Sequence, residues 1–207
     1  MVPVFAGKGH CLKMELSIVI VSYNAGGPLR ACLTSVLADI KESKLETNVE
    51  LIVVDNHSSD PEVHRVQQDL QGVRWIELPE NLGFSAGVNR GVSESAGNAV
   101  FLLNPDCEVS PGFLSKAMTH FREAEECSIM GFRQVDSQGS LQLSVGPDPG
   151  YFNELGRKWT QQQFDKGRGA LLKAVSWYLE KPRKVSWVAG SALMVSRVDF
   201  DAIGGFD

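Results

Sequence analysis

The chain has no cysteine pair at CxxC spacing and no histidine spaced from a cysteine as zinc ligands are, which excludes a conventional zinc module. Its four cysteines, Cys11, Cys32, Cys107 and Cys127, stand far apart and read as reduced, mostly buried thiols of a cytosolic protein. There is no basic excess: 20 Lys and Arg face 25 Asp and Glu, a formal net charge of −5. That argues against a nucleic-acid-binding face and gives no electrostatic reason to bind anionic lipid. No apolar run approaches the roughly 20 residues needed to cross a bilayer. There is no P-loop, and Gly83-x3-Gly87-x3-Gly91 lacks the GxGxxG spacing of a dinucleotide fingerprint. Close helix packing through small faces is the competing explanation of those glycines. No internal repeat or low-complexity segment is present. Residues 1–13 carry Lys8, His10 and Lys13 but no continuous apolar core, a poor signal peptide. They are expected to form a disordered leader, with the folded part starting at Met14.

What remains is 207 residues, 43% hydrophobic and 22% charged, which fits one large domain with a real core or, as the lesser alternative, two small ones. Leu16–Tyr23 is rich in β-branched residues and predicts a strand. Asn24-Ala25-Gly26-Gly27-Pro28 breaks it, and Pro28 suits the first turn of a helix. Leu29, Cys32, Leu33, Val36, Leu37 and Ile40 then recur at spacings of three and four, one apolar helical stripe. Glu50–Asp55 predicts a second strand, followed by a polar loop and a helix through Val63, Val66 and Leu70. Val73–Leu78 predicts a third strand, and a small-residue helix follows Asn81. Val100–Leu103 is a fourth, with no wet face, and a helix over Phe113–Glu125 follows it. This repeated strand–helix alternation predicts a parallel sheet with helices on both faces and right-handed crossovers.

Beyond Phe132 the pattern changes. Asp136-Ser137-Gln138-Gly139-Ser140 reads as the turn of a hairpin. Residues 151–180 are basic in patches and carry Trp159 and Trp177, an excursion of the kind that covers a site. Val185–Val188 and Leu193–Ser196 predict strands, and Val198–Ile203 a short helix.

The candidate chemistry lies where strands stop. Pro105 has no N–H and cannot extend a ladder, so the fourth strand ends at Asn104-Pro105-Asp106. In open α/β sheets ligands sit at the carboxyl edge, and an acidic group there suits a hard cation and the phosphates it carries. A turn that merely caps the strand explains the same residues. The first two strands end in polar loops that would converge on that edge, Ser22-Tyr23-Asn24 and Asp55-Asn56-x-Ser58-x-Asp60. Asp60 precedes Pro61 and is better explained as a helix cap than as a ligand.

Taken in order, Ser22-Tyr23-Asn24, Asp55-Asn56-x-Ser58-x-Asp60, Asn81-x-Gly83-x3-Gly87-x-Asn89, Asn104-Pro105-Asp106 and Trp187-x2-Gly190…Gly204-Gly205-Phe206-Asp207 resemble glycosyltransferase family 2. The likeness runs from about Leu16 to Asp207, and Asn-Pro-Asp in place of the commoner Asp-x-Asp is similar to the rhamnosyltransferase branch. The resemblance implies an inverting enzyme of GT-A fold: a Rossmann-like, mostly parallel sheet with a small mixed or antiparallel C-terminal part. It implies one GT-A-like domain over residues 14–207, with a nucleotide-sugar-binding half at 14–127 and an incomplete acceptor half at 128–207. It also implies transfer of a sugar, rhamnose being one candidate, from a UDP- or dTDP-donor to a saccharide or lipid-linked acceptor. Ser22, Tyr23, Asn24, Asp55 and Asn89 would line the nucleotide, with Tyr23 against the base and Asp55 accepting the N3–H of uracil or thymine. Asp106 would hold Mg2+ or Mn2+. Asn104 stands where the family usually has an Asp, and one carboxylate fewer weakens that site. Trp187 and Gly190 would shape the sugar or acceptor pocket, although core packing explains Trp187 equally. The general base of the family is expected beyond Asp207, so the catalytic residue stays unassigned. The protein would be cytoplasmic, with peripheral attachment at the inner membrane face through its acceptor. Two other classes remain open: a nucleotide-sugar-binding module without turnover, and a nucleotidyltransferase-like α/β enzyme.

Overall fold

The computed structural model describes residues 14–124, 128–142, 144–146 and 184–207. The expected leader and the 151–180 excursion lie outside the described residues. The chain divides into two compact units. One runs to Ser128 and resumes over Val195–Asp207; the other is Ile129–Met194. The final thirteen residues thus fold with the first unit.

The first unit is a parallel sheet built from four strands with the order β3-β2-β1-β4. These are β1 (Leu16–Ser22), β2 (Val49–Asp55), β3 (Arg74–Glu77) and β4 (Ala99–Leu103). Every residue of β1 is buried, as a strand covered on both faces must be. Its register on β2 runs from Leu16 opposite Val49 to Ser22 opposite Asp55, and on β4 from Leu16 opposite Ala99 to Val19 opposite Leu102.

The connecting helices are α1 (Gly26–Glu42), α2 (Pro61–Asp69), α3 (Phe84–Ser93) and α4 (Phe113–Glu123). In α1 five of the six stripe residues, Leu29, Cys32, Leu33, Val36 and Ile40, are buried, while Leu37 is half-buried. α3 lies directly on β1 and β2. A Cβ on Gly91 would stand 2.5 Å from Val19 Cγ1, and one on Gly87 would stand 2.8 Å from Val21 Cγ1. Side chains alternate along a strand, so Val19 and Val21 face α3 while Ile18 and Ile20 face the other side. Right-handed crossovers put α1 and α2 on that other side, where they pack together and α1 also meets α4.

The winding therefore reverses between β1 and β4. From β1 the chain steps outward through β2 to β3, then crosses back beneath the sheet through α3 to β4. Such a reversal leaves a crevice outside the carboxyl ends of the two strands, the place where ligands bind in open α/β sheets.

A final helix, α5 (Arg197–Ala202), closes the first unit. Arg197 ties it to the end of α3 by donating from Nη1 to Val92 O at 2.7 Å and from Nε to Gly97 O at 3.1 Å. The second unit contains the expected hairpin, with β6 (Gln134–Val135) antiparallel to β7 (Leu141–Gln142) about the Asp136–Ser140 turn. A second antiparallel pair joins β8 (Val145–Gly146) to β9 (Trp187–Val188). Strand β5 (Ile129–Gly131) adjoins β10 (Ala192–Ser196). The fold is thus α/β with a mostly parallel sheet and a small antiparallel part.

Candidate functional site

The carboxyl ends of β2, β1 and β4 carry Asp55, Ser22-Tyr23-Asn24 and Asn104-Pro105-Asp106 in that spatial order. Neighbouring strands lie about 4.8 Å apart, so the ends of β2 and β4 flank the end of β1 across roughly 10 Å. The three segments singled out in the sequence are brought to one edge, at the reversal of winding.

Two of these loops are locked to each other. Ser22 O accepts from Asn56 N at 2.8 Å, which extends the β1–β2 ladder by one bond past the strands. Asn24 has φ of +51°, a left-handed conformation that Asn tolerates better than most residues. From there its Oδ1 accepts from Ser59 N at 2.8 Å and Asp60 N at 3.1 Å, and its own N–H donates to Ser58 Oγ at 2.9 Å. Asp60 caps α2 as expected, accepting from Glu62 N at 2.9 Å, and its other oxygen takes Gly26 N at 3.0 Å. Those two backbone donors hold the Asp60 carboxyl below the usual carboxylate range. The Asn24 side chain is thereby a latch between loops, and its oxygen is already occupied. Tyr23, carried beside it, remains 51% exposed.

Asp55 is 5% exposed, and its carboxylate accepts from Ser58 N, at 3.2 and 3.4 Å to its two oxygens. A carboxylate offers about four lone-pair sites, so acceptor capacity remains. Burial without a full set of donors is costly, and an incoming N–H relieves that cost. Asn56 beside it is 3% exposed and fully engaged. It donates to Asn81 Oδ1 at 2.8 Å and to Gly83 O at 3.2 Å, and accepts from Leu82 N at 2.9 Å. This fastens the loop before α3 to the end of β2, a role the sequence did not reveal. Ser22 is fully buried, and its Oγ has no hydrogen-bond partner among the described residues.

Asp106 is exposed, in a turn closed by Cys107 N donating to Asn104 O at 3.1 Å. Among the described residues no group of three or more His, Cys, Asp or Glu is placed to hold a metal ion. An exposed Asp106 with Glu108 two residues on suits a different arrangement. Mg2+ commonly takes one or two carboxylates and completes its shell with substrate phosphates and water, so these residues fit a cation brought in with a diphosphate. Under this turn lies Cys32, whose S–H meets Asn104 O at 3.6 Å. Burial pushes the Cys32 thiol up to about 12, with Cys107 and Asp106 adding to the effect. Burial and the Asp106 carboxylate raise Cys107 to about 11. Both thiols are therefore protonated at neutral pH in the metal-free protein.

Asn89 stands apart from this rim group in its bonding. Its Nδ2 donates to Phe206 O at 2.8 Å, and its Oδ1 accepts from Phe206 N at 2.9 Å. The side-chain amide thus clasps the backbone of the Gly-Gly-Phe-Asp segment. Trp187 and Gly190 belong to the second unit. Trp187 is half-buried opposite Gly146, and Gly190 is exposed with open space where a Cβ would stand.

The model of the family described as "Glycosyl transferase family 2" matches residues 17–174. An N-acetylglucosaminyl-diphospho-decaprenol L-rhamnosyltransferase of Mycobacterium tuberculosis is 28% identical over 209 residues, covering 93% of this chain and 64% of that protein. The uncharacterized glycosyltransferase YibD of Escherichia coli is 29% identical over 162 residues, 70% of this chain and 46% of that protein. The chain thus spans less than two thirds of the length of either curated relative. Among solved structures, S. aureus TarS 1-349 in complex with UDP-GlcNAc aligns with a TM-score of 0.54 at 19% identity, covering 65% of this chain and 39% of that one. At that identity the likeness speaks to fold alone. No helix among the described residues is long and apolar enough to cross a membrane.

Proposed function

The chain belongs to glycosyl transferase family 2, and from that premise we propose that its first unit binds a UDP- or dTDP-sugar at the carboxyl edge of β2, β1 and β4 for transfer of the sugar to a saccharide or lipid-linked acceptor. The observation that carries the reading is the convergence of Tyr23, Asp55 and Asp106 on that edge, where the winding reverses. Each has the chemistry the task needs. Tyr23 offers an exposed ring face to a base and a polar tip to water. Asp55 keeps acceptor capacity for the N3–H of a pyrimidine, a charge-assisted bond that cytosine, lacking that donor, does not make. Asp106 would hold Mg2+ or Mn2+ against the two phosphates. When bound, the cation supplies positive charge to the departing nucleoside diphosphate.

The chain's own residues otherwise position and orient. The Asn24 latch fixes Tyr23 relative to Asp55, so base contacts are preorganised rather than assembled on binding. Asn89 holds the Phe206 backbone through both ends of its side-chain amide. A rhamnosyl donor and a lipid-linked acceptor are favoured by the name of the mycobacterial relative. An acceptor of that kind would bring the protein to a membrane surface.

Calorimetric titration with UDP and dTDP, each with and without Mn2+, tests the reading. Binding strengthened by Mn2+ in the wild type, and a lost Mn2+ effect in Asp106→Ala, is the expected result. Absence of nucleotide binding by the folded chain would overturn it.

A further inference from the structure

Building on the donor-site reading above, we propose that Asp39 and Ser35 of α1 are positioning residues for Asp106: they hold the β4–α4 loop in the shape that presents the carboxylate to a cation. The loop, residues 104–112, contains no helix or strand of its own. Without outside support its nine residues would be free to move. Its support comes from one face of α1. Cys32, Ser35 and Asp39 lie at steps of three and four, so they share that face.

Each touches a different part of the loop. Cys32 donates to Asn104 O at its start. Ser35 Oγ donates to Cys32 O at 2.8 Å within the helix, which leaves the oxygen to accept from Val109 N at 3.0 Å in the middle of the loop. Asp39 is 2% exposed and accepts from Gly112 N at 2.5 Å with Oδ1 and from Leu114 N at 2.8 Å with Oδ2. Gly112 is the N-cap residue of α4, with φ of +73°, and has no side chain to cap the helix. Asp39 therefore supplies from α1 the cap that α4 lacks. It uses both oxygens of a buried carboxylate to do so, a demanding arrangement for a residue whose only task were packing.

Asp106 lies between the first anchor and the second. It is exposed; its carboxylate accepts the weak S–H of the adjacent Cys107, at 3.7 Å, so its place in the fold is set mainly by these backbone bonds. Residues hydrogen-bonded to a metal ligand commonly change metal affinity by about 10- to 100-fold when removed. Ser35 and Asp39, which reach Asp106 only through the loop backbone at Val109, Gly112 and Leu114, are expected at the low end of that range.

The test measures the Mn2+-dependent gain in UDP affinity, the ratio of Kd without and with Mn2+, for wild type, Ser35→Ala, Ser35→Thr and Asp39→Asn. Hydrogen exchange of residues 104–112 without nucleotide or cation provides a second readout. The expected result is a gain reduced about 10-fold in Ser35→Ala and Asp39→Asn, with Kd for UDP alone within twofold of wild type. Exchange should speed up in residues 104–112 while β1 and β2 stay protected, and Ser35→Thr, which keeps the hydroxyl, should restore both. Variants that melt earlier yet keep the full Mn2+-dependent gain would overturn the proposal, since a purely structural role lowers stability alone. Faster exchange throughout the first unit would overturn it likewise. A wild type that binds UDP with no Mn2+ effect would remove the cation reading and this inference with it. No UDP binding at all would instead fall on the donor-site reading, while unchanged loop exchange in Asp39→Asn would refute the positioning role by itself.

Discussion

Substituting Gly91 by Ala tests the packing that creates the site's crevice. A Cβ there would stand 2.5 Å from Val19 Cγ1 and 2.9 Å from Val54 Cγ2. Both neighbours are β-branched, at most 1% exposed, and set in adjacent central strands. Their χ1 angles are restricted, so neither can turn aside cheaply. Overpacking a tight core costs about 1–3 kcal/mol, and two stiff partners put this site near the upper figure. Alanine returns about 1 kcal/mol through its better helix propensity. The net expectation is a loss of about 2 kcal/mol, which lowers Tm by roughly 4–8 °C for a domain of this size. Gly27→Ala in α1 is the control, because nothing lies within 4 Å of its Cβ position. It should be neutral or gain up to about 1 kcal/mol. Thermal and urea unfolding of the two variants side by side provide the assay. Equal, neutral behaviour of both would refute the close seating of α3 on β1 and β2, and with it the geometry of the winding reversal.

Other perturbations probe the rim. Asn24→Gly keeps the left-handed backbone but removes the latch, whereas Asn24→Ala loses both. The alanine variant should be less stable than the glycine variant by about 1 kcal/mol in urea unfolding, and both should bind UDP more weakly than wild type. The Asp60 carboxyl is held below its ordinary value by two backbone donors, so its contribution is present above the unfolded value near 4 and fades as pH falls through the folded one. The stability gap between wild type and Asp60→Ala should therefore be widest at neutral pH and close in acid, as followed by pH-dependent melting. Cys32, pushed up to about 12, should resist iodoacetamide at pH 8 in the native protein and react only after denaturation, as peptide-resolved mass spectrometry reports.

Much of this architecture is legible in the sequence because it rests on local pattern. The strands at residues 16–22 and 49–55 announce themselves through β-branched runs, and the α1 stripe through its spacing. Pro61 after Asp60 marks a cap that forms as expected. Family membership, too, followed from motifs in order. The supports of the site were not legible, because each joins residues far apart in the chain. Asp39 and Leu114 are separated by 75 positions and Asn89 and Phe206 by 117, and no periodicity connects them. In the sequence Asp39 is one polar residue among several on a helix. The ambiguity over Gly87 and Gly91 ended the same way, since only the position of Val19 and Val21 reveals why small residues stand there. The return of Val195–Asp207 to the first unit was equally invisible, as it depends on Arg197 reaching the carbonyls at the end of α3.

The claim beneath all of this is that Tyr23, Asp55 and Asp106 form one nucleotide site at the carboxyl edge of the sheet. A crystal of the protein grown with UDP and Mn2+ tests it most directly. The account predicts an anomalous Mn2+ peak beside the Asp106 carboxylate, with uracil against the Tyr23 ring and its N3–H directed at Asp55. Nucleotide density elsewhere on the molecule, or Mn2+ bound away from Asp106, would contradict it.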